Sequence, residues 1–265
     1  MTADTKELAK GYTVNNATQH NAGLFLLDRL AVKPGMHVLD VGCGPGNLTA
    51  HIAEVVGPTG KVVGIDPSKE RIALAEELAP TKSNLSFVVG QAEDLSRFAD
   101  GSFDIIYVNS TFHWIGDQAR ALREFHRVLK PGGGRVGVSG GSGDFVAWHQ
   151  TVKAAVMAQE PFCQYPDTEG TGPKFLKREE MERLLSLAGF ADYSMVINVI
   201  TKEVKDGYAM IEWLDTSSSG KTYGGVPLEL QPQAREAMKR EWDKYMTENG
   251  IKMDMELLVT VATKS

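Results

Sequence analysis

The sequence predicts an α/β protein built on a doubly wound, mostly parallel sheet of seven strands. Short apolar runs alternate with amphipathic segments through the first half of the 265-residue chain, a pattern typical of βαβ units. Glycine and proline clusters separate these segments. Because crossovers between parallel strands are right-handed, an open sheet with helices on both faces is the favoured architecture.

The first half is predicted to hold five strands, each a short apolar run bounded by turn residues. They are residues 37–42, 61–66, 85–89, 103–109 and 135–139. Helices are predicted over residues 16–30, 48–56, 68–79 and 117–129. In the first helix Ala22, Phe25, Leu26 and Leu30 are expected to share one apolar face. The proline of Val32-Lys33-Pro34-Gly35 ends it, because proline cannot continue a helix.

The alternation changes after Gly143. Helices are predicted over residues 144–159, 178–188, 207–214 and 233–249, and the last two strands over residues 193–204 and 251–263. We interpret this half as the end of the same sheet, interrupted by helical insertions that form a lid. The chain is then one domain with an N-terminal helical lid (1–34), a cofactor-binding core (35–142) and last strands with a helical cap (143–265).

Composition narrows the function classes. With 34 acidic against 28 basic residues the net charge is −6, the wrong sign for gripping a phosphate backbone, so no nucleic-acid partner is expected. No stretch has the length of a signal peptide core or a membrane span, which favours a cytoplasmic protein without a membrane partner. A monomer or a homodimer is expected. Neither the two cysteines, Cys43 and Cys163, nor the six histidines have metal-ligand spacing, and no metal is expected.

The strongest local signal is a glycine loop after the first strand, in the segment VLDVGCGPG at residues 38–46. Gly42, Gly44 and Gly46 let the chain turn sharply and bring bare backbone close to a ligand. The third glycine of the dinucleotide fingerprint is absent, and no Gly-Lys-Ser/Thr of a P-loop follows. The spacing therefore argues against a nicotinamide-dependent dehydrogenase and against a triphosphate site.

Asp66 ends the second predicted strand, about twenty residues beyond the loop. A carboxylate at this place can accept hydrogen bonds from both hydroxyls of an adenosine ribose. The alternative role is to cap the helix that begins near Ser68, a task that Ser68 itself can perform. Given the glycine loop upstream, ribose binding is the favoured interpretation.

Five segments carry a resemblance to a known family. They are VLDVGCGPG (38–46), ID (65–66), GQAEDL (90–95), FDII (103–106) and RVLKPGG (127–133). In this order they resemble the motifs of class I S-adenosylmethionine-dependent methyltransferases, and the likeness covers about residues 35 to 140. The sequence looks most similar to the small-molecule group that includes ubiquinone/menaquinone-biosynthesis-like, trans-aconitate and juvenile-hormone-acid methyltransferases. The resemblance implies a Rossmann-like methyltransferase fold and S-adenosylmethionine as cofactor.

The same resemblance implies roles in cofactor binding for nine residues. Gly42, Gly44 and Gly46 would pass the methionine part, Asp40 would lie beneath its ammonium group, and Asp66 would hold the ribose.

At the other end of the cofactor, Gln91 stands where the family more often has Asp or Asn, and its amide oxygen can accept a hydrogen bond from the adenine amino group. The backbone N–H of Ala92 would meet a ring nitrogen. Asn109 would border the methionine moiety, and Gln19 would reach the site from the N-terminal segment.

Methyl transfer needs in-line alignment of acceptor and methyl, and often a base that removes the acceptor's proton. His113 is the candidate base, because it follows the fourth predicted strand, where ligands bind in open α/β sheets, and because histidine titrates near physiological pH. Packing beside Trp114 is its alternative role. Tyr12 is the second catalytic candidate, since in similar enzymes an N-terminal segment closes over the site, and a solvated terminus is the alternative.

The sequence thus predicts methylation of a small-molecule oxygen, nitrogen or carbon. An enzyme that uses S-adenosylmethionine in a cyclisation or rearrangement without methyl transfer would show the same motifs, and the mass of the product separates the two. A protein or RNA methyltransferase finds no support, because residues 109–112 read NSTF rather than Asn/Asp-Pro-Pro-Tyr.

Overall fold

A computed structural model describes residues 17–78, 83–166, 172–218 and 222–265. The strands in these residues are β1 (His37–Val41), β2 (Lys61–Asp66), β3 (Leu85–Val89), β4 (Ile105–Asn109), β5 (Arg135–Gly141), β6 (Asp192–Val204) and β7 (Ile251–Thr263). They form one sheet in the order β3-β2-β1-β4-β5-β7-β6. Pairing is parallel from β3 to β5, and β7 is antiparallel to β5. The predicted seven-stranded, mostly parallel sheet is confirmed.

Most helices in the described residues lie close to their predicted positions, but the helix predicted over 144–159 begins only at Trp148 and the one predicted over 233–249 ends at Asp243. The helices are α1 (Ala17–Leu30), α2 (Asn47–Val56), α3 (Lys69–Glu76), α4 (Gln118–Val128), α5 (Trp148–Met157), α6 (Arg178–Leu187), α7 (Gly207–Ser217) and α8 (Gln231–Asp243). The prediction missed two short 3₁₀ turns, at Phe112–Trp114 and Phe162–Gln164.

The apolar face of α1 differs from the prediction at one residue. Ala22, Leu26 and Leu30 are buried, but Phe25 is 36% exposed and Leu27 is buried in its place. Each residue advances a helix by about 100°, so Phe25 and Leu27 lie on opposite borders of the stripe that Ala22, Leu26 and Leu30 form, about equally far from its middle. The expectation for Phe25 was wrong.

The described residues divide into two compact units. The sheet unit contains residues 19–144, 174–198 and 257–265, and its largest apolar cluster packs α4 and α6 on the sheet around Leu39, Ile106 and Phe125. The helical unit contains residues 145–173 and 199–256, and its core surrounds Met210 and Trp242. The organisation as one methyltransferase domain stays a prediction.

Within the described part of the chain, none of the helices combines the length and the apolar composition that crossing a bilayer requires.

Candidate active site

The candidate residues of the sheet unit gather at the carboxyl edge of its parallel strands. Asp40 lies near the end of β1, Asp66 ends β2, and Asn109 ends β4. Asp40 pairs in register with Tyr107, two residues before Asn109, which in turn pairs with Ser139 of β5. Because parallel strands end at one edge, side chains distant in sequence meet there.

The glycine loop between β1 and α2 has a backbone that other residues rarely adopt. Gly42, Gly44 and Gly46 have φ angles of 74°, 55° and 86°, all in the left-handed region. A Cβ at Gly42 would lie 2.2 Å from the side chain of Thr111, and one at Gly46 would lie 2.7 Å from the ring of Phe87. Conformation and space therefore both require glycine here.

The carboxylate of Asp66 fastens this loop to the next helix. Asp66 is 6% exposed, and its two oxygens accept hydrogen bonds from the N–H groups of Gly44, at 3.0 Å, and Ser68, at 2.9 Å. The cap of α3 is Ser68, whose hydroxyl accepts from the N–H of Arg71 at 3.2 Å. Ser68, and not Asp66, therefore caps α3, so the alternative role considered for Asp66 is performed by Ser68.

Asp40 is a buried carboxylate, 3% exposed, beside the same loop. Its pKa is raised to about 7, mainly by burial and also by the nearby charge of Asp66, although the hydrogen bond from the Thr49 hydroxyl at 2.6 Å lowers it. Among the described residues no cation contributes to this pKa. A cationic ligand placed against Asp40 would stabilise its charged form.

Two further oxygens on the same edge have no hydrogen-bond partner among the described residues. The side-chain amide of Asn109 donates to the backbone carbonyl of Gln19 at 3.0 Å, which ties β4 to α1. The side-chain oxygens of Asn109 and Gln19 are buried and accept no hydrogen bond from the described residues. Because a buried acceptor without a donor is costly, this pair indicates a place for a donor group of a ligand.

The segment after β3 lies against the end of β2. The N–H of Gly90 donates to the carbonyl of Asp66 at 3.1 Å. The next two residues differ in exposure, since Gln91 is exposed and Ala92 is buried in the core of the sheet unit. Gln91 thus has its side chain in solvent at the edge where Asp66 lies.

These features fit the cofactor that the motifs imply. S-adenosylmethionine carries an ammonium group, a sulfonium and a ribose diol. Carboxylates, other acceptor oxygens and backbone that approaches the ligand closely are the protein groups that bind these parts. Asp40, Asp66, the glycine loop and the amide oxygens of Asn109 and Gln19 offer these groups along one edge. The described residues contain no group of three or more His, Cys, Asp or Glu placed to hold a metal ion.

His113 lies in the 3₁₀ turn that follows β4. Its ring centroid is 5.3 Å from that of Trp114 and 4.8 Å from that of Phe175. The half-buried ring borders a shallow cleft whose wall includes Val138, Gly141, Met181 and Leu258. His113 therefore packs beside Trp114, as the alternative role had it, and also faces a mainly apolar cleft.

Sequence reasoning missed Ser110 and Thr111, which connect the two parts of the edge. The Thr111 hydroxyl lies 3.3 Å from the carbonyl of Gly42 and 3.1 Å from that of Asn109, and it can donate to either. Ser110 has a φ of 54°, a left-handed conformation that is uncommon outside glycine and clusters at functional sites. No pattern in the sequence marks either feature. Tyr12, the other catalytic candidate, lies outside the described residues.

Comparisons with known proteins bear on the family and the fold. A family profile described as a methyltransferase domain matches residues 39–136. A demethylmenaquinone methyltransferase of Staphylococcus carnosus is 31% identical over 174 residues, which cover 62% of this chain and 72% of that protein. A Staphylococcus aureus protein of the same name is 39% identical over 104 residues, 39% of this chain and 43% of its own length. The structure of YcgJ from Bacillus subtilis shares the fold, with a TM-score of 0.64 and 21% identity over 92% of this chain and 98% of that one.

Proposed function

Because the chain belongs to the class I S-adenosylmethionine-dependent methyltransferases, we propose that it methylates a small-molecule acceptor bound beside His113. The cofactor S-adenosylmethionine, when bound, supplies an electrophilic methyl carbon on a positively charged sulfur. The observation that carries the proposal is that three candidate residues lie at one edge of the sheet. Asp66 ends β2, Asp40 lies in β1, and His113 follows β4, and these three strands are neighbours. In-line displacement requires cofactor and acceptor to be aligned at one place.

On the cofactor side, the chain is proposed to supply hydrogen-bond acceptors and backbone that are already in place before the cofactor binds. Asp66 is proposed to accept hydrogen bonds from the ribose, and Asp40 with the oxygens of Asn109 and Gln19 to surround the ammonium group. Buried acceptors that are already in place need no rearrangement when a cation binds. The glycine loop follows the methionine part, and two further residues are proposed to meet the adenine: Gln91 and Ala92.

On the acceptor side, the relatives suggest the class of substrate. Their names describe methylation of demethylmenaquinone, and we extend to this chain an acceptor with an aromatic or quinone-type ring. The support for this class is the chemistry of the surface beside His113, where Val138, Met181 and Leu258 offer apolar contacts of the kind that a ring makes. His113 is proposed to take the proton that the acceptor loses, and Tyr12 to assist it from the N-terminal segment.

The test is turnover of purified protein with S-adenosylmethionine and a panel of acceptors: reduced quinones that lack a ring methyl, catechols, and carboxylic acids. Product mass and the release of S-adenosylhomocysteine are both measured. A ring product heavier by one methylene unit supports the proposal. An isomer of unchanged mass would establish a rearrangement instead, and methylation confined to carboxylic acids would overturn the acceptor class.

The role of His113 has its own measurement. His113→Ala is expected to lower kcat by a factor of about 10²–10⁴, the usual contribution of a general base, and to leave the affinity for S-adenosylhomocysteine unchanged. Unchanged turnover in this variant would remove His113 from the mechanism while leaving the methyltransferase activity in place.

A further inference from the structure

Phe175 lies far from His113 in sequence but against it in the fold. It precedes α6 in the sheet unit, and its ring is tilted by 38° over the imidazole, with the two centroids 4.8 Å apart. The side chain is half-buried. The segment therefore places an aromatic ring on a histidine at the carboxyl edge of the sheet.

A glycine makes room for this ring. Gly141 is the last residue of β5, and a Cβ there would lie 2.7 Å from two carbons of the Phe175 ring. A distance below 3.0 Å between a Cβ and a ring carbon requires one of them to move. The ring of Phe175 thus occupies space that any other residue at position 141 would take.

Hydrogen bonds hold the backbone of the Phe175 segment on both sides of the ring. The N–H of Lys174 donates to the carbonyl of His113 at 2.7 Å, and the N–H of Gly143 donates to the carbonyl of Leu176 at 2.8 Å. The buried amide of Gln118 donates to the carbonyl of Lys174 at 3.1 Å and to that of Phe112 at 3.0 Å. These bonds fasten the residues on either side of Phe175 to the turn that carries His113 and to the end of β5.

We propose that Phe175 is a positioning residue for methyl transfer, which acts by holding the imidazole of His113 in its working orientation. The χ2 torsion of histidine has a broad energy minimum, so the plane of the ring is set by what packs on it. Proton transfer depends on that plane, because a nitrogen must point at the acceptor's proton. The inference rests on the proposed function of His113.

The experiment measures kcat, KM for the acceptor, and affinity for S-adenosylhomocysteine in a set of variants. Phe175→Ala is expected to lower kcat about tenfold or more, with cofactor affinity changed less than twofold. Phe175→Tyr keeps the ring and should retain turnover. Gly141→Ala should lower kcat by displacing the ring, whereas Gly172→Ala is the matched control, because a Cβ at Gly172 meets nothing within 4 Å.

A double variant separates positioning from mere packing. If Phe175 acts through His113, then His113→Ala with Phe175→Ala is as slow as His113→Ala alone. Additive losses, or a loss in Phe175→Tyr equal to that in Phe175→Ala, would overturn the inference. Full turnover in Phe175→Ala together with a loss in His113→Ala would overturn it and leave the proposed function standing. Full turnover in His113→Ala would instead overturn the proposed role of His113, and the inference with it.

Discussion

The two ends of the candidate site are built in different ways. The cofactor end takes its buried carboxylates and left-handed glycines from one stretch, residues 40–66, to which more distant residues add amide groups. The acceptor end combines His113, Gly141 and Phe175 from three separate segments and depends on the packing of rings. The comparison shows that a short stretch of sequence can specify the carboxylates and the glycine loop of the cofactor end. The orientation of His113 at the acceptor end instead depends on contacts between segments that are distant in sequence.

The largest effect is expected at Asp66. In Asp66→Asn the charge that the ribose hydroxyls are proposed to meet is lost, and a hydrogen bond to a charged group contributes about 1.5–3 kcal/mol. Losing two such bonds predicts an affinity for S-adenosylhomocysteine lower by at least about a hundredfold, measured by calorimetric titration.

Ser68→Ala is the control for Asp66. It removes the hydroxyl that caps α3 and keeps the backbone N–H that donates to Asp66. The variant should lose about 1 kcal/mol of stability and no cofactor affinity. If Ser68→Ala weakened binding as much as Asp66→Asn, the contribution of Asp66 would be to hold α3 and not to bind ribose.

Asp40 should make cofactor binding depend on pH. Burial raises its pKa to about 7, and the proposed ammonium partner prefers the charged carboxylate. Below pH 7 the carboxyl must lose a proton before it can pair, so affinity should fall about tenfold from pH 8 to pH 6. Titration of S-adenosylhomocysteine at several pH values checks this, and a flat profile would contradict it.

Asp40→Asn should remove the pH dependence, leave binding weak, and stabilise the fold. Because the pKa is raised on folding, the charged carboxylate costs folding free energy above about pH 7, and this cost shrinks as the pH falls toward the ordinary value. The gain in melting temperature over the unsubstituted protein should therefore be larger at pH 8 than at pH 5. Thr49→Val, which removes a hydrogen bond to the charged form, should move the midpoint of the binding profile upward.

Thr111 tests whether the two ends are coupled. Thr111→Val removes the hydroxyl that reaches the carbonyls of Gly42 and Asn109 while keeping the shape of the side chain. A loss of about 1 kcal/mol in the free energy of unfolding is expected in denaturant titration, together with a several-fold loss in both cofactor affinity and kcat. Thr111→Ser keeps the hydroxyl and should retain all three quantities. A change in only one of affinity and kcat would show that the ends are independent.

The smallest effect is expected from two residues with left-handed backbone, one at the site and one away from it. Ser110 and Ala31 have φ angles of 54° and 47°, so Ser110→Gly and Ala31→Gly should each stabilise the fold by up to about 1 kcal/mol, measured by denaturant titration. Only Ser110→Gly should lower kcat, because Ser110 sets the path from β4 to His113. Equal turnover in both variants would mean that the conformation of Ser110 serves the fold alone.

Sequence patterns predicted the parts of this molecule that short-range rules govern. The spacing of Gly42, Gly44 and Gly46 indicated a sharp turn after a strand, and all three have the positive φ that glycine allows. Ser68 was expected to be able to cap α3, and it does. The error at Phe25 arose because Phe25 and Leu27 lie on opposite borders of the apolar stripe of α1. Both residues are apolar, so the sequence does not reveal which border is buried.

The sequence alone therefore determined the sheet, its alternation with helices, the glycine loop and the position of Asp66, because each depends on backbone preferences and hydrophobic period within a few residues. Tertiary structure alone decided that Thr111 joins the loop to β4, that no cation in the described part of the chain offsets the burial of Asp40, and that Phe175 covers His113. These are contacts between segments that only the folded sheet brings to one edge, and the burial that sets the pKa of Asp40 exists only there.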